Sequence, residues 1–313
     1  MSRELPLELY DEIISYLWND KQALLACSVA GRTLTIPSQK RLFSRVKLPG
    51  PYQIVRLEKY PGKTHQLGKS YSDFKRLLGQ SPHIVEYIEC LQIIAASGFT
   101  ECGLATNMMD PWSDEKDEEG NPLPRHGLCR WLAAANSSPS YEPRFHKLKA
   151  LVVECPGNWY RLCPRVHSII FRLLRLPSLV YVDLKPFPIS ILTHVIGDNV
   201  KHLHFRSCLE ASNEPFPTST PAVPIYLESM CITTDVQSLL SFLLSDPNSR
   251  IKVNRLRKVV FNMIHDELVA HSMTWALLQS CPDTLEELTI APSGSGKPLA
   301  LLNFNYPYVD RSM

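Results

Sequence analysis

The sequence lacks long apolar runs, paired-cysteine motifs and an excess of charge of either sign. No stretch approaches the ~20 apolar residues of a membrane-spanning helix, and five acidic residues lie within the first 30, unlike a secretory leader. The nine cysteines show no C-x-x-C spacing, which is typical of reduced thiols. With 33 basic against 31 acidic residues, neither nucleic acid nor a membrane is expected as a partner. We therefore expect a protein of the cytoplasm, the nucleus or both.

Catalytic motifs are also missing. The sequence contains no G-x-S-x-G, no H-E-x-x-H and no assignable Ser-His-Asp or Cys-His set. His202-x-His204 would place two rings on one face of a strand, but no third ligand at suitable spacing can be named. We therefore expect no catalytic residues, no metal and no cofactor, and we predict that the chain is not an enzyme.

The first 48 residues predict three short helices followed by a strand. Pro6 suits a first helical turn, and apolar residues follow it at helical spacing. Asn19 or Asp20 can cap a second helix, which Gly31 interrupts. Pro37 predicts the first turn of a third helix that runs to about residue 43. The apolar stripe of the first helix consists of Leu9, Ile13, Ile14 and Leu17.

These residues resemble the F-box, in the form common among fungal F-box proteins. The resemblance ends near residue 43 and so covers a small part of the 313 residues. Family members often carry Trp or Phe where this chain has Leu34. The matching elements are Leu5-Pro6-x-Glu8-Leu9, Ile13-Ile14-x-Tyr16-Leu17, Asp20, Leu24-Leu25, Cys27-Ser28-Val29, Arg32 and Leu42-Phe43.

The resemblance implies that the helices dock on the Skp-type adaptor of a cullin ubiquitin ligase. Matched position by position, the residues expected at that interface are Leu5, Pro6, Leu9, Ile13, Leu17 and Val29. The alternative is that these side chains form the core of a simple N-terminal cap. Exposure separates the two, because monomers seldom expose large apolar patches that bind nothing.

The pattern apolar-x-x-apolar-x-apolar recurs along the rest of the chain. After Leu148, successive copies follow at intervals of 21 to 31 residues. Three apolar stripes at helical spacing lie between copies, at 166–174, 236–244 and 268–278, each followed by a proline. The eight copies begin at Phe43, Ile88, Leu148, Leu179, Val200, Leu227, Leu256 and Leu285.

Strand, turn and helix at such a period resemble an irregular, degenerate leucine-rich repeat. The predicted fold class is therefore α/β: a three-helix F-box followed by a leucine-rich-repeat-like solenoid of parallel strands alternating with helices. The expected domains are residues 1–45 and 46–313. The period is broken at about 96–146, where five prolines and an acidic run predict a flexible insertion. A non-repetitive α/β domain remains the alternative.

The repeat pattern also predicts where a partner protein would bind. The second and third apolar residues of each copy should point inward, so the residues beside them should point outward. In a solenoid those outward residues line the concave sheet that binds partners. We expect a cluster rich in basic residues that favours an acidic or phosphorylated target segment. Its members are Tyr181, Asp183, Lys185, His202, His204 and Arg206, and Glu154 also points outward.

Together these expectations describe the substrate receptor of a Skp/cullin/F-box-type ubiquitin ligase. The helices would dock on the adaptor, and the repeat would hold an unidentified target protein. The alternative is a non-catalytic interaction scaffold in which the helices only cap the solenoid. In both cases Phe43-x-x-Val46-x-Leu48 ends the helical segment and begins the repeat, so we expect no flexible linker between the two.

Overall fold

The structure is a computed structural model of the chain. It describes residues 5–49, 69–94, 112–116, 122–124, 145–155, 159, 164–188, 192, 194–206, 208–209, 223–233, 236–245, 249–263 and 268–292. Most of the predicted insertion at 96–146, and residues 293–313 of the predicted second domain, lie outside these ranges. No helix among the described residues is both long and apolar enough to cross a membrane.

Three helices come first, as the sequence predicts. The Asp20 carboxylate accepts the N–H of Ala23 at 2.9 Å and so caps the second helix. The first and second helices both pack against the third, and Ile14 and Leu24 are buried within this segment. The three helices are α1 (Leu7–Ser15), α2 (Lys21–Ala30) and α3 (Arg32–Phe43).

The predicted start of the third helix at Pro37 is wrong. Helix α3 begins at Arg32, directly after Gly31, and Pro37 lies inside it and is buried. Gly31 has extended backbone, which ends α2, and its carbonyl accepts the N–H groups of Leu34 and Thr35 at 3.1 Å. The glycine therefore sets the helix start. Pro37, which lacks an N–H, leaves one hydrogen bond of the helix unmade.

The junction between the helices and the sheet consists of one residue. Helix α3 ends at Phe43, and strand β1 (Arg45–Pro49) begins after Ser44. The Ser44 carbonyl accepts the N–H groups of both Glu89 and Cys90 at 2.9 Å. Helix α3 also contacts a 3-10 helix over Pro82–Tyr87. The expectation of no flexible linker is confirmed.

The described residues after the helices form an α/β structure around one sheet of eight strands, all of them parallel. The strand order in the sheet is the order along the chain, an arrangement compatible with a solenoid. After β1 the strands are β2 (Cys90–Ile94), β3 (Ala150–Glu154), β4 (Tyr181–Lys185), β5 (His202–Phe205), β6 (Ser229–Ile232), β7 (Lys258–Met263) and β8 (Glu287–Pro292).

The eight copies of the apolar pattern lie side by side in this sheet. Their second apolar residues stay in register from Val46 in β1 to Leu288 in β8. Their third apolar residues share that register, and from Leu48 to Phe261 they are buried in the core. Each of the eight copies therefore lies in a parallel strand of the sheet, as predicted.

Helices cover the face of the sheet to which these apolar residues point. Their buried side chains, such as Phe74, Ile170, Leu240 and Leu277, belong to the same core cluster as the strand residues. The three helices predicted from apolar stripes are present, whereas the helix between β1 and β2 was not predicted. The four are α4 (Lys69–Gln80), α5 (Pro164–Leu174), α6 (Val236–Ser245) and α7 (Leu268–Ser280).

Short strands outside the main sheet form three pairs. Trp112–Lys116 pairs antiparallel with Pro122–Pro124, so the predicted insertion contains a strand pair that the sequence analysis did not anticipate. The other two pairs are parallel and lie in the connections of the main sheet. They are Phe187–Pro188 with Cys208–Leu209, and Ile225–Tyr226 with Ile251–Lys252.

Gly197 lies where the connection between β4 and β5 touches the end of α5. Its N–H donates to the Leu174 carbonyl at 2.8 Å. A Cβ added there would lie 3.0 Å from the Leu174 carbonyl oxygen and 3.3 Å from the Cα of Arg175. Both are backbone atoms, which cannot rotate away as a side chain can.

We expect Gly197→Ala to lower the free energy of unfolding by about 1–3 kcal/mol, because the backbone must shift to admit the methyl group. Urea denaturation followed by circular dichroism measures this. Gly79→Ala is the matched control: it lies in α4 with nothing within 4 Å of the new atom. It should raise stability by about 0.5–1 kcal/mol. Equal stability of both variants would contradict the close approach.

Candidate functional site

The N-terminal helices expose large apolar side chains. Leu5, Leu9 and Ile13 are 48%, 41% and 49% exposed, and Val29 is 84% exposed. Pro6 is exposed as well, and Leu17 is half-buried. The six residues predicted for the adaptor interface are therefore not buried against the sheet.

Further exposed apolar residues lie close to these in the sequence. Tyr16 follows Leu9 and Ile13 at helical spacing, and Trp18 lies in the turn after α1. Their side chains are 77% and 59% exposed. We call Leu5, Pro6, Leu9, Ile13, Tyr16, Trp18 and Val29 the exposed helix surface. Neither Tyr16 nor Trp18 was predicted at the interface, although Tyr16 lies within one of the elements that resemble the F-box.

The second predicted surface lies on the outer face of the sheet, opposite the helices. Strands β4 and β5 bring its residues together, since Tyr181 pairs with His202 and Asp183 pairs with His204 in register. Arg206 follows β5 directly. The predicted neighbourhood of these side chains is therefore confirmed, whereas their role in target binding stays a prediction.

A network of charged and polar side chains crosses this face from β2 to β5. Arg206 Nη2 donates to Asp183 Oδ2 at 2.7 Å, and Arg206 Nη1 lies 3.5 Å from Glu154 Oε1. His204 Nδ1 lies 3.2 Å from the same Asp183 oxygen. Gln92 Nε2 donates to Glu154 Oε1 at 3.1 Å. We call these five residues the Asp183–Arg206 cluster.

The Asp183–Arg206 pair stays ionised because each partner stabilises the charge of the other. Burial alone would raise the pKa of Asp183, but hydrogen bonds and positive charge from His204 and Arg206 outweigh it, so the pKa is lowered. Burial alone would lower the pKa of Arg206, but Asp183 and Glu154 raise it. Asp183 is 2% exposed, so its carboxylate depends on these partners.

His202 and Ser229 form a separate contact on the same face. Nδ1 of His202 lies 2.8 Å from the Ser229 hydroxyl oxygen. Burial lowers the pKa of His202, which favours the neutral ring at pH 7. The Ser229–His202 contact and the His204–Asp183 contact use different imidazoles. A Ser-His-Asp relay needs one imidazole to contact both partners, so these contacts do not form such a triad.

Two buried thiols, one on this face and one in the core, are protonated at neutral pH. Burial raises the pKa of Cys231, which pairs with His204 in register, to about 12. Burial also raises the pKa of Cys155 to about 12. Nucleophilic cysteines react as thiolates, so neither thiol is activated for catalysis. Among the described residues, no group of three or more His, Cys, Asp or Glu side chains is placed to hold a metal ion.

The outer face is less basic than its residue types suggested. Of the predicted cations, Lys185 is exposed, whereas Arg206 is compensated by two carboxylates and His204 is buried. Glu154 was predicted to point outward but not to bind Arg206. Gln92 was not among the residues predicted for this face. Gln92 occupies the same outward position as Asp183 and His204, and alignment of the eight copies would have found it.

No protein-family model matches this chain, and no curated protein or solved structure matches it either. Its functional interpretation therefore depends on its own residues and on the resemblance of its first helices.

Proposed function

We propose that the chain is the substrate receptor of a Skp/cullin/F-box-type ubiquitin ligase. The N-terminal helices bind the Skp-type adaptor, and through it the cullin, while the outer face of the sheet holds a target protein. The chain itself carries no catalytic step. It raises the concentration of the target beside the ubiquitin-loaded enzyme that the ligase recruits.

The observation that carries this proposal is the exposed helix surface. A cap would bury Leu9, Ile13 and Val29 against the repeat, yet these side chains face solvent while Ile14 and Leu24 supply the internal contacts of the helices. Leaving several large apolar side chains in water is unfavourable by roughly 1.5–3 kcal/mol for each, compared with full burial. A partner that covers them recovers this free energy.

The one-residue junction at Ser44 also supports a receptor. Helix α3 contacts β1 and the 3-10 helix before β2, and the Ser44 carbonyl binds two N–H groups of the segment that leads into β2. The helices and the sheet are therefore joined by contacts on both sides of the junction. A receptor that must aim its target at a distant enzyme requires such a fixed angle.

On the outer face, residues differ in what they can offer a target. Asp183 and His204 are buried, and Arg206 is engaged with Asp183 and Glu154. These three side chains therefore hold each other in place and offer little surface for direct contact with a target. Direct contacts with a target fall to the exposed or half-buried side chains, which are Tyr181, Lys185 and His202.

Co-purification of the full chain with a Skp-type adaptor tests the proposal. We expect the combination of Leu5→Asp with Pro6→Ala to reduce adaptor recovery at least about ten-fold, because a charge enters the centre of an apolar interface. Val223→Asp is the matched control, since Val223 is 61% exposed but lies in the connection between β5 and β6. This variant should bind like the unmodified chain.

Two results would contradict the proposal at different points. Undiminished adaptor recovery by the double variant would show that the interface is assigned to the wrong residues. A folded, unmodified chain that binds no Skp-type adaptor would favour the scaffold alternative, in which the helices serve no ligase.

A further inference from the structure

An apolar groove lies beside the edge strand β1, where the N-terminal helices meet the sheet. Its volume is about 230 Å³. The apolar part of its wall comes from all the elements around the junction: α2, the end of α3, β1 and α4. These wall residues are Leu25, Leu42, Phe43, Val46 and Phe74.

Basic side chains complete the lining of the groove. They are Lys21 at the start of α2, and Arg45 and Lys47 in β1. Lys21 and Lys47 are exposed, and within the described part of the chain neither forms an ion pair. The neighbouring carboxylate, Asp20, is engaged in capping α2. The groove therefore combines an apolar wall with basic side chains. We call Lys21, Arg45 and Lys47 its positive rim.

The backbone beside the groove forms an edge of the sheet in the described part of the chain. Strand β1 pairs with β2 on one side and with no described strand on the other. An exposed edge offers main-chain N–H and C=O groups to an added extended segment. Side chains alternate along β1, so Arg45 and Lys47 lie on one face while Val46 lies on the other.

We propose that this groove binds an extended acidic segment of a partner protein, with an apolar side chain inserted between Leu25, Phe43 and Val46. The positive rim favours carboxylates, the open edge favours an extended backbone, and the apolar wall favours a large side chain at alternate positions. Lysines on an edge strand can also serve only to prevent aggregation. Preventing aggregation would not require an apolar groove beside the lysines. Leu25, which is half exposed, lines that groove.

This inference stands apart from adaptor docking. Phe74 of α4 is among the residues that line the groove, and none of the residues of the exposed helix surface is. Charge reversal in the groove should therefore leave adaptor recovery unchanged, and loss of adaptor binding should leave the groove intact.

Fluorescence anisotropy with the full chain and a labelled peptide tests the inference. The peptide alternates aspartate with phenylalanine or leucine. We expect Lys21→Glu with Lys47→Glu to weaken its binding about ten-fold or more, because two attractions become repulsions. The control is Lys40→Glu with Lys147→Glu, which changes the net charge equally at exposed lysines outside the groove. It should change the affinity less than about two-fold. Circular dichroism verifies that both variants fold.

Several outcomes would overturn the assignment. They are no binding of the peptide to the unmodified chain, equal loss in both double variants, and equal binding of a peptide with lysine in place of aspartate. The groove would belong to this chain's own acidic run if neutralising residues 114–119 strengthened peptide binding several-fold. It would belong to a second copy if the chain dimerised and dimerisation competed with the peptide.

Discussion

Replacing Arg206 with methionine should lower the free energy of unfolding by about 3 kcal/mol. Asp183 is 2% exposed and ionised, and Arg206 supplies its shortest contact, at 2.7 Å. Without the guanidinium the carboxylate stays buried with a weaker set of partners, and burying an unpaired charge is costly. We choose the lower end of the usual range because a quarter of the Arg206 side chain remains exposed.

The partner substitution provides the matched control. Asp183→Asn combined with Arg206→Met removes both charges, so most of the lost stability should return. Urea denaturation of the two single variants and the double variant measures the coupling between the residues. If the double variant is no more stable than Arg206→Met alone, the destabilisation arises from lost packing and not from an unpaired carboxylate.

The pair also predicts how stability depends on pH. Because the pKa of Asp183 is lowered in the folded chain, the pair contributes its full stabilisation above the unfolded value of about 3.9. That contribution declines as the pH falls through the folded pKa. The free energy of unfolding should therefore fall less between neutral and acidic pH in the Asp183→Asn, Arg206→Met double variant than in the unmodified chain.

Trp159→Ala should lower the free energy of unfolding by about 3–5 kcal/mol. The Trp159 side chain is fully buried, with its ring centroid 4.3 Å from that of Phe187. It stacks on His167 at 4.6 Å and lies 6.0 Å from Phe171. Truncation therefore removes apolar burial and three ring contacts, and it leaves a cavity that the surrounding strands and helix cannot fill completely.

The same substitution at Trp275 is the control. Trp275 lies in α7 and is 62% exposed, so its replacement by alanine should change stability by less than about 0.5 kcal/mol. Trp159→Phe should cost less than Trp159→Ala, because the buried indole N–H has no hydrogen-bond partner among the described residues. If Trp159→Ala lowers the free energy of unfolding by less than about 1 kcal/mol, the contacts of Trp159 with the neighbouring rings contribute little to stability.

The role of Arg206 affects how target binding should be tested. Reversing its charge would place a third carboxylate beside those of Asp183 and Glu154, so lost target capture could reflect a disturbed sheet. Lys185 lies on the same face and is exposed, and its charge can be reversed with little effect on stability. Lys185→Glu is therefore the better probe of an acidic target segment.

The sequence predicted the sheet well because its signal is local and repeated. Each copy of the apolar pattern became a strand, and the second apolar residues, from Val46 to Leu288, lie in one register. Asp20 was predicted as a cap for the same reason, since its carboxylate and the N–H group that donates to it are only three residues apart. The helix start predicted at Pro37 was wrong, because a proline favours a first helical turn but does not require one. Gly31, which ends α2, sets the start at Arg32.

The contacts that define the outer face could not be predicted in the same way. Arg206 meets Glu154 across 52 residues and Asp183 across 23. Such pairs depend on which strands become neighbours and on the rotamers of long side chains. The residue types at the outward strand positions indicated a basic cluster, whereas strand order placed two carboxylates beside Arg206. The groove beside β1 could not be predicted from the sequence, because four separate elements line it.

Neighbouring strands in the sheet are also consecutive along the chain, so each connection has only to return to the adjacent strand. The connection from Ile94 to Ala150 is 55 residues long, against 26 between Glu154 and Tyr181. Closing a loop about twice as long costs only about 0.6 kcal/mol more. Unequal connection lengths are therefore compatible with one strand register throughout such a sheet.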